Sequence, residues 1–339
     1  MTLAALTSPF VLRELLRPSL GRRSRVGWVL PRLWPYRSAD ASTRLRAYDL
    51  WGPLNALGVS AELYRPFLNY GAVVFQKAFE PHHLALARRL RAKGVKIVLD
   101  LNVNYVDFDP EFAPEYKRRA LDLMLPETDA LIVSSGELER VYRGRVPRVV
   151  MVPDPVPAGL FPSAKVHAGT RGLRLVYCGY AVKAREVLAI APVLRRVCAQ
   201  HDARVLFVCE KDPKLPGLPS EFKRYSQRSL AAAFAAADIA IAPRDLSRPY
   251  NLGHSAVKVA LPMAAGLPAV ASPVPSYEGS PALLCRSDEE WESALTSLIL
   301  DPERRAALGA AGRVFARREL DVPVVAARYA AALRQVLLP

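Results

Sequence analysis

Between Ser247 and Gly279 the chain reads SRPYNLGHSAVKVALPMAAGLPAVASPVPSYEG, and these residue types suit anion chemistry. A loop with Asn251, Gly253 and His254 opens a predicted helix at Ser255. The free N–H groups and positive dipole end of a helix N-terminus suit a diphosphate. Lys258 falls on the first turn of that helix, where the macrodipole prefers acids. Either an anion offsets it or it is a solvated surface lysine. In the first half, Ser42 or Thr43 is placed to cap a helix, and Arg44 beside them reaches a phosphate or stays an exposed helix arginine. Lys77 and Asp100 fall at the carboxyl ends of predicted strands, where ligand contacts belong in α/β sheets. Asp100 has a second reading, as an aspartate that caps its own loop.

Other chemistries find no support. The five histidines (His82, His83, His167, His201 and His254) show no zinc spacing, and no pair of cysteines forms CxxC, so no metal is expected. His82 and His83 follow Glu80-Pro81 and read as capping or surface residues. No GxGxxG follows the first strand and no GxxxxGK[ST] occurs, against a nicotinamide dehydrogenase or a P-loop NTPase. No GxSxG occurs, against an α/β-hydrolase.

The elements that must position these residues come from an alternating pattern. Predicted strands are Val26–Leu30, Val59–Tyr64, Gly71–Gln76, Val95–Leu101, Ala130–Ser134 and Val149–Val152, with helices from Ser42 or Thr43, over His82–Ala92 and over Glu115–Met124. After a Pro/Gly-rich stretch the pattern restarts. Strands are expected at Leu173–Cys178, Arg204–Cys209, Ile239–Ala242, Ala269–Ala271 and Ala282–Cys285. Helices are expected at Arg185–Gln200, Ser229–Ala237 with Ser229 as cap, Ser255–Ala265, Asp288–Leu300, Pro302–Arg317 and Val322–Leu338. Short apolar strands alternating with amphipathic helices predict an α/β fold: two Rossmann-like, doubly wound parallel-sheet domains that face each other across a cleft. The expected divisions are an N-terminal extension at 1–25, a first domain at 26–155, a linker at 156–172, a second domain at 173–320 and a C-terminal helix at 321–339.

Composition fits this architecture. The chain has 339 residues, of which 51% are hydrophobic, which suits about two domains with real cores. No apolar run reaches the ~18–20 residues of a membrane span. Four cysteines, Cys178, Cys198, Cys209 and Cys285, read as buried reduced thiols of a cytoplasmic protein. The net charge is 47 − 32 = +15. Residues 1–160 contribute 23 − 16 = +7 and residues 161–339 contribute 24 − 16 = +8. With acids interleaved throughout, a nucleic-acid partner is not expected, and an anionic small substrate or an anionic membrane surface is. The densest stretch, Met1–Arg25, carries five arginines, one glutamate and apolar residues at helical spacing. It reads as a basic amphipathic segment that packs on the first domain or lies on the inner face of a membrane. It is not read as a signal peptide.

Three segments then resemble a known group. MAAGLPAVASPVPSYEG (263–279) is similar to the MAxGxPVVAS signature of GT-B glycosyltransferases, particularly the retaining family-4-like group. SLAAAFAAADIAIAPRD (229–245) resembles that group's preceding helix–strand element, and residues 301–333 resemble its final helices. The likeness covers about residues 173–335. The first domain matches more loosely, through VVFQKAF, VKIVLDLN and DALIVSS. The resemblance implies a hexosyltransferase-type enzyme of bacterial polysaccharide or glycoconjugate synthesis. Its nucleotide-diphosphate-sugar donor would sit on the second domain and its acceptor on the first. Neither a metal nor a cofactor is implied. By that resemblance Lys183, with Arg185 behind it, offsets diphosphate charge alongside Lys258, and Asn251, Gly253, His254, Ser255 and Arg244 contact the donor. Asp100, Asn102 and Asn104 match the polar segment after the fourth strand, and with Ser42, Thr43, Arg44 and Lys77 would face the acceptor. The group's E-x7-E pair falls on Gly253 and Leu261, and neither is acidic. A divergent transferase and a non-catalytic sugar-binding relative both fit that departure, and an epimerase or phosphorylase shares the architecture.

Overall fold

β-Branched and aliphatic runs of four to six residues, each followed by an amphipathic helix, leave the backbone one economical solution: parallel strands covered on both faces. A computed structural model describes residues 25–31 and 41–337, so the basic segment read at Met1–Arg25 lies outside the described residues except for Arg25 itself. The described chain divides after Pro155 and again after Asp321 into two units. In unit 1 the strands are β1 (Arg25–Val29), β2 (Ser60–Leu63), β3 (Ala72–Gln76), β4 (Lys96–Leu101), β5 (Ala130–Val133) and β6 (Val149–Met151). They pair in the order β2-β1-β3-β4-β5-β6, all parallel. Helix α1 runs over 41–56 with a π-helical turn at Arg44–Tyr48. Helices α2 (Pro81–Arg91), α3 (Glu115–Met124) and α4 (Gly136–Tyr142) follow. The sequence pattern did not suggest α4, a short helix capped by Ser135, whose Oγ accepts from the Leu138 N–H at 3.3 Å.

Unit 2 holds β7 (Arg174–Cys178), β8 (Arg204–Cys209), β9 (Ser220–Arg224), β10 (Ile239–Ala242), β11 (Ala269–Ala271) and β12 (Leu283–Leu284). Their order is β12-β11-β10-β7-β8-β9, again all parallel. Its helices are α5 (Ala191–His201), α6 (Gln227–Ala235), α7 (Pro249–Leu252), α8 (Val257–Ala264), α9 (Asp288–Leu300) and α10 (Pro302–Phe315). Leu175 and Tyr177 of β7 point into one apolar layer, and Val176 between them into the other. This is the alternation that buries a sheet on both faces. The stretch 156–172, rich in Pro and Gly, is packed into this unit: Val156, Ala158 and Phe161 enter its core, and Arg305 donates to the carbonyl of Ala168 at 3.2 Å.

Four local expectations change. The helix expected over 185–200 is a 3₁₀ stretch, Ala181–Ile190, before α5. Pro192 has no N–H for the Leu188 carbonyl and its ring clashes there, so an α-helix cannot run through it. Ser226, not Ser229, caps α6, with Ser226 Oγ accepting from the Ser229 N–H at 3.0 Å and Ser229 Oγ accepting from the Ser226 N–H at 3.1 Å. Helix α8 begins at Val257, so Ser255 precedes it. Strand β9 escaped the pattern because its residues alternate between exposed and half-exposed, as an edge strand does.

The last helix, α11 (Val322–Leu337), belongs to unit 1 and buries Val325, Tyr329 and Leu333 against the layer that holds Trp28, Leu50 and Val98. A buried arginine organises this layer. Arg46 of α1 donates to both Asp100 oxygens, at 2.6 and 2.9 Å, to Asp154 at 2.9 Å and to the Val152 carbonyl at 3.0 Å. Tyr329 of α11 donates to Asp100 at 2.7 Å. Burial alone would lower the pKa of Arg46, but Asp100 and Asp154 more than reverse that and hold it charged. One guanidinium therefore ties α1, β4, the exit of β6 and, through Asp100, α11. Arg46→Met would leave Asp100 and Asp154 buried without their cation, which costs about 3–5 kcal/mol. A urea-melt free energy lowered by that amount is expected, and one within about 1 kcal/mol of wild type would contradict the network's role.

Candidate functional site

Ligands of open α/β sheets sit beyond the strands' carboxyl ends, where the strand order reverses. In unit 2 that point lies between β7 and β10, since β8 follows on one side of β7 and β10 lies on the other. Cationic side chains gather there. Lys258, on the first turn of α8 as its sequence suggests, is half-buried. Its ammonium donates to the Cys178 carbonyl at 3.2 Å and lies 3.7 Å from the centroid of the Tyr177 ring. No carboxylate forms an ion pair with it among the described residues. Burial first, and the charge of Arg244 second, push its pKa down to about 7.

Arg244 follows β10. Its backbone N–H donates to Ser272 Oγ at 2.8 Å, and its Nη1 donates to Glu186 at 2.7 Å. Burial alone would lower its pKa, but Tyr277 and Glu186 beside it raise it, so it stays protonated. Asn251 is buried, and its Nδ2 donates to the other Glu186 oxygen at 2.7 Å and to the Asp245 carbonyl at 2.8 Å. Lys183, in the 3₁₀ stretch, has its ammonium 3.1 Å from His254 Nε2 and 4.7 Å from the centroid of the Tyr250 ring. An ammonium has only donors, so Nε2 accepts and the imidazole proton sits on Nδ1. Gly253 ends α7, Ser255 is buried before α8, and Arg185 is exposed to solvent. The Tyr277 hydroxyl lies beside the Arg244 guanidinium, and Tyr177 Oη is buried here without a hydrogen-bond partner. Buried polar groups are rarely left so, and each such case asks for an explanation.

The residues singled out in unit 1 lie at the carboxyl ends of its strands, and most already have partners. Lys77 takes a left-handed backbone (φ 51°) and donates from its ammonium to Ser42 Oγ at 3.2 Å. Thr43 Oγ1 donates to Gln76 Oε1 at 3.0 Å, and Arg44 lies 3.5 Å from Asp49. Ser42 and Thr43 sit inside a helical stretch. Asp100 is fully buried and holds Arg46 and Tyr329, so its carboxylate is structural and does not cap its own loop. Asn104 closes a local turn, accepting from the N–H groups of Val106 at 2.9 Å and Asp107 at 3.2 Å. Asn102 donates to Asp154 at 3.4 Å, and its Oδ1 is unpartnered. Gln76 Nε2 and Ser134 Oγ are likewise buried without a partner.

Glu186, Tyr177 and Tyr277 were not suggested by the sequence. Glu186 lies only three residues beyond Lys183, but the acid becomes meaningful only when the fold brings Arg244 and Asn251 to it. Among the described residues no group of His, Cys, Asp or Glu could hold a metal, and no helix is long and apolar enough to cross a membrane. Burial raises the thiols of Cys198, Cys209 and Cys285 to about 11, 12 and 11, so they stay protonated.

No protein-family profile matches the chain, and no curated protein matches it. Solved structures do. A sucrose-phosphate synthase from Thermosynechococcus elongatus is 16% identical over 85% of this chain and 78% of its own, with a TM-score of 0.60. A UDP-forming α,α-trehalose-phosphate synthase from Burkholderia xenovorans, solved with glucose-6-phosphate, is 16% identical over 78% of this chain and 72% of its own, with a TM-score of 0.56. TarM of S. aureus, solved as a point mutant with fondaparinux, α-GlcNAc-glycerol and UDP, is 12% identical over 79% of this chain and 55% of its own, with a TM-score of 0.59. At these identities the likeness is one of fold: two Rossmann-like units of the GT-B type.

Gly179 makes the lysine geometry testable. A Cβ there would lie 2.8 Å from Lys258 Nζ and 3.2 Å from Tyr177 Oη. Gly179→Ala should fold, because a flexible lysine end can yield, but it should move the ammonium off the Cys178 carbonyl. Binding of inorganic pyrophosphate should weaken about tenfold, or ~1.4 kcal/mol, with Tm within a few degrees of wild type. Unchanged affinity would show that the position of Lys258 does not matter to an anion.

Proposed function

We propose that this chain is a GT-B glycosyltransferase that moves a sugar from a nucleotide-diphosphate-sugar donor held by unit 2. The observation that carries this reading is the half-buried Lys258 ammonium at the switch point of the sheet, beside Arg244 and without an ion-paired carboxylate among the described residues. Such a site favours a dense anion, and a departing diphosphate is one. The fold likeness to the sucrose- and trehalose-phosphate synthases, and to TarM solved with UDP, supports the same donor class.

In this mechanism the positive groups hold the diphosphate before the sugar leaves. As the glycosidic C–O bond breaks, negative charge grows on the leaving oxygen, and Lys258 and Arg244 stabilise it from fixed positions, joined by Lys183. The cations supply this stabilisation themselves, the role a metal takes elsewhere. Lys183 reaches this work by exchanging its His254 contact for a phosphate oxygen. The acceptor hydroxyl binds on unit 1, where Gln76, Lys77, Asn102 and Ser134 offer donors and acceptors. The acceptor oxygen bonds to the anomeric carbon on the face that the diphosphate leaves, and its proton passes to the departing phosphate oxygen, so we assign no general base and propose retention at the anomeric carbon. The residues at Gly253 and Leu261 favour one second reading: with no acid at either position, the chain is a binding module that holds the nucleotide sugar without turnover.

A turnover screen with UDP-, GDP-, ADP-, dTDP- and CMP-sugars in the presence of EDTA separates the two. The transferase reading expects nucleoside diphosphate release from one of the diphosphate donors and no release of CMP from the CMP-sugars, with kcat lowered roughly 10²–10³-fold by Lys258→Ala. It expects a smaller loss from Lys183→Ala and none from the exposed Arg185→Ala. Binding without release from any donor supports the module, and wild-type turnover by Lys258→Ala contradicts the proposed role.

A further inference from the structure

A negative charge in the cationic cluster of unit 2 works against the anion proposed above, yet among the described residues Glu186 is the carboxylate that pairs with Arg244 there. Its two oxygens face different partners. Oε2 accepts from Arg244 Nη1 at 2.7 Å, and Oε1 accepts from Asn251 Nδ2 at 2.7 Å. Arg244 arrives from the end of β10 and Asn251 from α7, elements that share no sequence continuity with the 3₁₀ stretch that carries Glu186. Asn251 in turn donates to the Asp245 carbonyl at 2.8 Å, which closes the loop between Arg244 and α7. The side chains are only 6% and 12% exposed at Arg244 and Glu186, so the contact is sheltered from water and salt. Charge-assisted hydrogen bonds of this length are strong and directional.

We infer that Glu186 is the positioning residue of the unit 2 site, fixing the Arg244 guanidinium and the Asn251 loop in the arrangement that an anionic ligand meets. The inference rests on the donor-site reading above. Glu186 fastens Nη1 of the guanidinium, and the Tyr277 hydroxyl lies beside it. The ligand then meets a preorganised cation. The same carboxylate has a second consequence. The charged and titratable groups around Lys258 are Arg244 after β10, Glu186 in the 3₁₀ stretch, Tyr177 and Cys178 on β7 and Cys209 on β8. Of these Arg244 works against a charged lysine, and Glu186 is the first of the groups that favour it. Without Glu186 the lysine would lose its proton at lower pH, which gives back part of the positive charge gained by removing the acid but not all of it, so weaker anion binding would come from lost positioning and not from lost charge.

That sign separates positioning from simple repulsion. A carboxylate that only opposed the ligand would, on removal, let an anion bind more tightly. Calorimetry with inorganic pyrophosphate at pH 7 is expected to show Glu186→Gln binding about tenfold more weakly than wild type. In a double-mutant cycle the Glu186→Gln effect should largely vanish in an Arg244→Gln background, because it acts through Arg244. Tighter binding by Glu186→Gln, or full additivity with Arg244→Gln, would overturn the inference. A third measurement needs no ligand: NMR titration of ¹³C-labelled lysine, with Lys258 assigned through Lys258→Arg. The Lys258 midpoint should fall in Glu186→Gln, and an unmoved midpoint would also overturn the inference. Failure of wild-type protein to bind pyrophosphate would count against the donor reading, while the lysine titration still decides the role of Glu186.

Discussion

A lysine ammonium is held at the end of a parallel sheet with a backbone carbonyl and an aromatic face, but no carboxylate, to meet its charge. Desolvating a cation is costly, and partial neutralisation is the usual outcome, which is why Lys258 titrates near 7. The local structure of unit 2 follows from accommodating that group. Gly179 leaves room for the ammonium, since even a methyl group there would come within 2.8 Å of it. Tyr177 lends its ring face. Arg244, which raises the cost by sitting nearby, is partly neutralised by Glu186. What remains is an excess of positive charge and an unpartnered tyrosine hydroxyl at the switch point of the sheet.

Unit 1 treats its buried charge in the opposite way. Arg46 is as deeply buried as any described side chain, yet every one of its nitrogens has an acceptor. Two carboxylates, a carbonyl and a tyrosine hydroxyl close that network, so nothing in it is left for a ligand. Its consequence is architectural: Asp154 lies just before the chain enters unit 2, and Tyr329 lies on the helix formed after it leaves. A satisfied polar network specifies one packing arrangement, and an unsatisfied one waits for a partner. The two units show both cases.

This contrast marks what could be read from the sequence. The alternation of strand and helix was legible because burial on both faces demands apolar runs, and Val98, Ile132 and Val205 supply them. Lys258 was legible because a cation at a helix start conflicts with the dipole. Asp100 was legible as a polar residue at a strand end, but its partner is 54 residues away in α1, and no local pattern reveals that. Glu186 was passed over for the same reason: it lies 58 residues from Arg244 and 65 from Asn251, and only the fold brings them together. Local spacing also misjudged the starts of α5, α6 and α8, where Pro192, the Ser226–Ser229 pair and Ala256 set the boundary.

The most direct test of the central claim is to count the protons taken up when an anion binds. A folded-state pKa near 7, well below the usual lysine value of 10.5, means that at pH 8 most Lys258 side chains are neutral in the folded protein and charged in the unfolded one. Stability from this group therefore rises with pH between those values. A diphosphate beside the amine should restore its charge. Calorimetric titration of the intact protein with UDP and GDP at pH 8, in buffers of different ionisation enthalpy, should show binding with uptake of close to one proton, and almost none in Lys258→Met. Binding by the wild type without proton uptake, or uptake that survives Lys258→Met, would contradict the account.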